Sequence, residues 1–139
     1  MKLNYDCMRD VMLFLESCTD IEFDVDDGIC FVETPLDDLC GALPKWGKAD
    51  IFYSLFNLNQ GGYIDASILD ANNTVSECCV NYITLHGHEF LNSIRDDARW
   101  GKMKKGLSAI RDYSLSALSS IAKGMTEGAV TAWLTGAQG

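Results

Sequence analysis

The architecture is determined by residues 48–84, KADIFYSLFNLNQGGYIDASILDANNTVSECCVNYIT. A helix signal, a helix stop and two strand signals follow one another there. Apolar side chains repeat at helical spacing over the first third of this stretch, and Gly61-Gly62 ends the helix. Residues 63–66 and 78–83 have the composition of strands, which predicts a hairpin across the loop between them. This order is typical of the recognition helix and wing of winged helix-turn-helix domains.

The charge of the same stretch differs from that of a DNA-binding surface. No lysine or arginine occurs from Ala49 to Ile94, whereas five carboxylates do: Asp50, Asp65, Asp70, Glu77 and Glu89. Phosphate contacts dominate DNA affinity and come mostly from Lys and Arg. The sequence therefore predicts a winged-helix-like topology without the electrostatic footprint of nucleic-acid binding.

Composition places the chain among globular proteins. It has 139 residues, of which 47% are hydrophobic and 22% charged, and its net charge is −9. Residues 1–50 carry four basic and twelve acidic side chains, whereas residues 91–139 carry seven basic and four acidic ones. The acidic half should repel nucleic acid and attract a basic partner surface.

The N-terminal half predicts two further helices and a strand. Asn4 caps a helix that ends near Cys18, with Tyr5, Met8, Val11, Met12 and Leu15 facing the core. Residues 20–27 alternate acidic and apolar side chains, and both a strand with one wet face and a solvated loop fit them. Residues 29–32 form a strand, and a brief helix follows Pro35.

The C-terminal half predicts two long helices. Thr84 caps the first, which runs to about Lys105 with Phe90, Leu91, Ile94 and Trp100 facing inward; the second covers residues 114–134. The expected fold class is α+β and mostly helical. It comprises a winged helix-turn-helix-like core with a small antiparallel hairpin, residues 1–106, and a long C-terminal helical extension, residues 107–139.

Small residues recur at every fourth position of the last predicted helix. They are Ser116, Ser120, Gly124, Gly128 and Ala132. Such stripes let helix backbones approach closely, so packing on the body or self-association in a homodimer is expected. Lys123 and Glu127 lie in mid-segment, which argues against a membrane span.

Two segments resemble a known family. One segment is the opening, MKLNYDCMRD (residues 1–10). The other is ITLHGHEFL (residues 83–91), which is followed by IRDD (residues 94–97) and Trp100. Both are similar to domain of unknown function 2513, a family of bacterial and phage proteins. The resemblance is weakest around residues 20–45. It implies a winged-helix-like fold, often encoded by phages or mobile elements, and carries over no activity, cofactor or catalytic residue.

Catalytic and metal-binding motifs are not expected. The six cysteines are Cys7, Cys18, Cys30, Cys40, Cys78 and Cys79, and they include no Cys-x-x-Cys pair. With no signal-peptide-like segment before them, reduced core thiols in a cytoplasmic protein are predicted. His86 and His88 do not share a helix face, so a shared metal ion is not expected, and Gly87 between them is predicted to permit close packing against the hairpin. We predict no enzyme, metal or cofactor.

Two charged clusters remain as candidate binding residues. The acidic, partner-binding set is Asp20, Glu22, Asp24, Asp26, Asp27, Asp37 and Asp38. The basic set, for phosphate or an acidic partner, is Arg95, Arg99, Lys102, Lys104 and Lys105. Mixed charge runs of this kind are commonly no more than a solvated helix face.

Two functions follow as hypotheses. The first is a protein-binding module, phage or mobile-element encoded, whose acidic face binds a basic host protein that handles nucleic acid or serves in defence. The alternative is a DNA-binding transcriptional regulator that dimerises through the last helix. In that case Asn57, Asn59, Gln60, Asn72 and Asn73 would read base edges. A membrane-active role for the small-residue helix is less favoured.

Overall fold

The fold is α+β and mostly helical. A computed structural model describes residues 1–111 and 114–124 of the chain. Within these residues six helical segments accompany two small antiparallel sheets, one with two strands and one with three. The predicted fold class is therefore confirmed at this level.

The first helix, α1 (Tyr5–Cys18), forms as the sequence predicts. The Oδ1 of Asn4 accepts a hydrogen bond from the backbone N–H of Cys7 at 3.1 Å, which satisfies one of the N–H groups left open at a helix start. All five predicted core positions are buried, and Cys7 is buried with them. This face packs against α3 (Lys48–Gln60).

A short helix, α2 (Leu36–Ala42), precedes α3, and its Leu39 is fully buried. The loop between the two helices is tied to α1, since the indole N–H of Trp46 donates to Asp10 at 2.8 Å. In α3, Ile51, Leu55 and Leu58 are buried as predicted. The helix stops at Gly61-Gly62, where Gly62 has φ +80°, a conformation that glycine adopts without steric cost.

A three-stranded antiparallel sheet follows, with strand order β3-β5-β4. Its strands are β3 (Thr34–Pro35), β4 (Ile64–Ala71) and β5 (Thr74–Ile83). The predicted loop between the last two is wrong, since β4 and β5 pair along their whole length and are joined by Asn72-Asn73 alone. Both asparagines have positive φ, which suits the tight turns that join antiparallel strands. We call residues 64–83 the central hairpin.

The alternating acidic segment, residues 20–27, belongs to a second hairpin. Its first four residues form a strand, as one of the two interpretations predicted, and the rest lie in the turn. Strands β1 (Asp20–Phe23) and β2 (Ile29–Val32) pair antiparallel, and residues 24–28 form the turn. We call residues 20–32 the N-terminal hairpin. β2 contacts β5, where the rings of Phe31 and Tyr82 lie 4.6 Å apart between centroids.

The long helix predicted from Leu85 is in fact two helices, α4 (Leu85–Ile94) and α5 (Asp97–Ile110). The break occurs because Asp96 acts as an N-cap: its side chain accepts from the backbone N–H of Arg99 at 2.8 Å. A capping side chain competes with helix continuation, and apolar periodicity alone does not reveal it. The predicted inward positions Phe90, Leu91, Ile94 and Trp100 are all buried.

Two compact units divide the chain, the first ending at His88 and the second beginning at Glu89. The domain boundary that the sequence predicts after residue 106 falls within α5, and it stays a prediction. Within the second unit, α5 packs closely on the helical residues 115–124, since a Cβ on Gly106 would lie 3.3 Å from the Cδ1 of Ile121. None of the helices in the described residues is long and apolar enough to cross a membrane.

Gly87 packs directly against the start of the central hairpin, as the sequence predicts. A Cβ at this position would overlap the carbonyl oxygen of Tyr63 and lie 2.7 Å from the Cγ2 of Ile83. The contact is held by Thr84, whose hydroxyl donates to the carbonyl of Gly62 at 2.6 Å and accepts from the N–H of Gly87 at 3.0 Å. Thr84 is therefore both the predicted helix cap and a link to the turn between α3 and β4.

We expect Gly87→Ala to destabilise the fold, because the added methyl group meets backbone that has no room to move. Overpacking of this kind costs about 1–3 kcal/mol, measurable as a lower urea midpoint. Gly41→Ala is the matched control, since α2 has open space there; it should be neutral or stabilising by up to about 1 kcal/mol. Equal stability of Gly87→Ala and the wild type would contradict the close contact.

Candidate functional site

The N-terminal hairpin collects most of the predicted acidic set on one small projection. Five of those seven side chains lie on it, and all five are exposed: Asp20, Glu22, Asp24, Asp26 and Asp27. Within the described residues, no Lys or Arg forms an ion pair with any of the five. The hairpin therefore presents negative charge that no Lys or Arg of the described residues pairs with.

Asp24 has a second role, which is to build the turn. Its Oδ1 accepts from the backbone N–H groups of Asp26 at 2.9 Å and Gly28 at 2.7 Å. Its own N–H donates to the carbonyl of Gly28 at 2.8 Å. Asp27 adopts φ +61°, which Asp and Asn tolerate better than most residues. Asp26 and Asp27, unlike Asp24, are available for contact without a structural task.

One face of the same hairpin is apolar, a feature that sequence reasoning missed. In the register, Ile21 pairs with Phe31 and Phe23 with Ile29, so these four side chains share one face. Their exposed fractions are 50%, 48%, 70% and 69%, respectively. The alternation of residues 20–25 was visible in the sequence, but the pairing partner that makes it a continuous face was not.

The remaining predicted acids, Asp37 and Asp38, lie in the first turn of α2 and not on the N-terminal hairpin. Asp37 accepts from the ammonium group of Lys48 at 3.3 Å, and both side chains are well exposed. Exposed pairs of this kind contribute about 0–1 kcal/mol. Asp37 and Lys48 border an open cleft of about 620 Å³ between α2, α3 and β5, which Phe52 and Cys78 also line.

The basic set divides by role. Arg95 donates to the side chain of Asn92 at 3.2 Å, and the half-buried Arg99 donates to the backbone carbonyl of Ala122 at 3.4 Å. Lys102, Lys104 and Lys105 are exposed on α5. Arg99 thus helps to hold the second unit together, and the predicted shared face with Arg95 and Lys102 is not a purely solvated one.

Two of the amides proposed to read bases are engaged within the fold. The Oδ1 of Asn59 accepts from the backbone N–H of Ala66 at 2.9 Å, which fastens α3 to β4. The side-chain amide of Asn57 donates to the carbonyl of Tyr53 at 2.8 Å. Gln60, Asn72 and Asn73 are exposed. Only the last three therefore present unengaged side chains at this surface.

The small-residue stripe is described in part. Ser116, Ser120 and Gly124 are exposed, and a Cβ on Gly124 would meet nothing within 4 Å among the described residues. Gly128 and Ala132 lie outside the described residues. Self-association through this stripe stays a prediction.

One group of side chains has metal-ligand chemistry that the sequence did not indicate. Ligand atoms of Glu33, Glu77 and Cys79 lie within 4.8 Å of one another, at the point where β3 meets β5. Burial and the nearby charges of Glu33 and Glu77 raise the pKa of the Cys79 thiol. A divalent cation would have to displace the thiol proton against this shift, so the residues have suitable chemistry without a prepared thiolate.

The cysteines are all free, but the expectation that they are core thiols is wrong for Cys30, which is exposed in β2. Cys18 and Cys40 are half-buried, and Cys7, Cys78 and Cys79 are buried. Burial, followed by the nearby Cys79 and Cys40, raises the pKa of Cys78 to about 11. His86, in turn, stacks on Tyr63 at 4.4 Å between ring centroids and does not pair with His88.

Comparison with known proteins identifies relatives without an assigned activity. The family model described as hypothetical protein (DUF2513) matches residues 2–112. An uncharacterised protein of Haemophilus influenzae is 27% identical over 124 residues, which cover 88% of this chain and 93% of that protein. No solved structure gives a significant match.

We expect the thiols to react with iodoacetamide in the order of their exposure. Cys30 should be alkylated first at pH 8, whereas Cys7 and Cys78 should stay largely unmodified, because burial raises the pKa of both and blocks access. Peptide mapping by mass spectrometry measures each site, and all six should react in urea. Rapid modification of native Cys78 would contradict its placement.

Proposed function

The chain belongs to the DUF2513 family, and we propose that it is a non-enzymatic protein-binding module whose N-terminal hairpin docks on a basic protein surface. The observation that carries this proposal is the uncompensated charge of the hairpin. Five exposed carboxylates lie within residues 20–27, and no cation of the described residues pairs with them. Like charges held so close repel one another, and a basic partner would relieve that repulsion.

The central hairpin supports a protein partner because it lacks the positive charge that DNA binding requires. The order α3, β4, β5 matches a recognition helix and wing, on which our winged-helix interpretation rests. The central hairpin carries Asp65, Asp70 and Glu77 and no Lys or Arg, which argues against DNA as its ligand. A partner that itself binds nucleic acid fits the proposal, because the carboxylates of the N-terminal hairpin can occupy its phosphate-binding positions. An inhibitor of a host defence or nucleic-acid-binding protein, encoded by a phage or mobile element, is the role we infer.

A DNA-binding regulator is the alternative, favoured by the exposed Asn72 and Asn73 at the tip of the central hairpin. Its phosphate contacts would have to come from Lys45, Lys48 or the cluster of residues 95–105, and Lys45, Lys48, Lys102, Lys104 and Lys105 are exposed. Gel shift with random duplex at low salt distinguishes the two, since a DNA-binding protein shows non-specific affinity there. DNA binding at micromolar protein that is lost when these lysines are changed to Gln would support the regulator and contradict our proposal.

The test of the protein-binding proposal is partner recovery from cells of the source organism with the tagged full chain. We expect Asp26→Asn/Asp27→Asn to lose most of the recovered partner, with wild-type recovery falling as salt rises. Asp24 is left unchanged because its side chain builds the turn. Asn is the replacement at Asp27 because Asn tolerates the positive φ of that position. Mass spectrometry of the eluates quantifies the loss.

Asp70→Asn/Glu89→Gln is the matched control, because it removes two exposed negative charges outside the N-terminal hairpin. Recovery with this control should equal that of the wild type. If both double variants recover the same amount of partner as the wild type, the hairpin charges play no part and the proposal fails.

A further inference from the structure

We propose that the apolar face of the N-terminal hairpin is the docking surface, and that its occupant is an apolar patch bordered by Lys and Arg on another protein. This inference rests on the proposed function and adds the contacts that would give the complex its affinity. Charge attracts and orients a partner, whereas most binding energy comes from a few buried apolar or aromatic side chains.

The geometry of the face comes from the β1–β2 register. Phe23 lies directly across from Ile29, and Ile21 across from Phe31, so two aromatic and two aliphatic side chains form two adjacent rows. Val25, in the turn, is 99% exposed. Contiguous exposed apolar surface is uncommon on soluble monomers and marks interaction sites, whereas single exposed apolar residues do not.

The face is held in place and does not serve as core. Phe31 contacts the ring of Tyr82 on β5, and Thr34, just after β2, is buried with its hydroxyl 3.5 Å from the Sγ of Cys18. The turn is fixed by four hydrogen bonds of Asp24, the three given above and one in which its carbonyl accepts from the N–H of Asp27 at 3.1 Å. A hairpin braced at its base and closed at its tip loses little conformational freedom on binding, which favours affinity.

The charges around the face identify the chemistry of the occupant. Asp26 and Asp27 lie at its tip, and Asp20 and Glu22 point from the opposite side of the same thin ribbon. Exposed charges act over one Debye length, ~8 Å, so Asp26 and Asp27 at the tip are the charges best placed to act on a partner seated on the apolar face. A second copy would bring its own acidic hairpin against them. A partner with Lys and Arg around an apolar patch is attracted instead.

The probe for this test is a synthetic amphipathic helix of Leu and Lys, with an analogue in which Gln replaces every Leu. It reproduces the stated chemistry without requiring the partner to be known. Binding to the full chain is measured by fluorescence anisotropy of the labelled peptide. The wild type should bind the Leu peptide and not the Gln analogue, which carries the same charge.

The decisive variant is Phe23→Thr/Ile29→Thr, which keeps side chains that favour strands. We expect it to lose about tenfold or more in affinity, as truncation of central contact residues does. The matched control is Leu85→Thr/Ile110→Thr, since both residues are exposed apolar side chains outside the hairpin, at 77% and 57%. Its affinity should be that of the wild type, and circular dichroism should show both variants folded.

Asp26→Asn/Asp27→Asn separates this inference from the proposed function. If it weakens peptide binding while Phe23→Thr/Ile29→Thr does not, the acidic docking stands and the apolar face is rejected. If only the apolar variant weakens binding and salt has no effect, the apolar face stands and the electrostatic proposal fails.

Three other outcomes would overturn the inference. The first is equal loss of affinity in Leu85→Thr/Ile110→Thr, because the peptide would then bind any exposed apolar side chain. The second is a wild-type dimer in light scattering that Phe23→Thr/Ile29→Thr converts to monomer, which makes a second copy the occupant. The third is binding of the wild type to phosphatidylcholine vesicles that Phe23→Thr/Ile29→Thr abolishes, which makes a lipid surface the occupant.

Discussion

Strand β5 is hydrogen-bonded on both edges, to β3 on one side and β4 on the other, and the arrangement of the first unit follows from this double pairing. The pairing with β3 fixes the chain immediately after the N-terminal hairpin, while Tyr82 on β5 contacts Phe31 of that hairpin. The pairing with β4 positions Tyr63, against which Gly87 packs as α4 begins. One strand thus connects the proposed docking surface to the helical core.

The division of charge and burial on this framework separates structural from surface roles. Asn59 and Arg99 suggest recognition residues by type, yet both hold elements together through hydrogen bonds to backbone groups. Asp26 and Asp27 have no such task, and they lie at the tip of a hairpin whose neighbouring face is apolar. Negative charge beside exposed aromatic side chains is the combination on which we base protein binding.

The sequence predicts helices well where apolar periodicity and a local cap agree. Asn4 and the repeat through Leu15 give α1, and Gly61-Gly62 gives the end of α3. It fails where a distant partner or a competing cap decides. The length of β4 and β5 depends on their pairing, the Asp96 cap splits a periodic helix, and the apolar face needs β2 beside β1. Alternation in residues 20–25 indicated a strand but could not tell which face would stay exposed.

Hydrogen exchange on the complex recovered from cells tests most directly whether the N-terminal hairpin, and not the central hairpin, is the binding surface. Backbone amides that a partner covers exchange more slowly, and mass spectrometry of peptic fragments locates them. We predict new protection in residues 20–32 and unchanged exchange in residues 48–83. Protection confined to α3 and the tip of the central hairpin, with residues 20–32 unaffected, would contradict it.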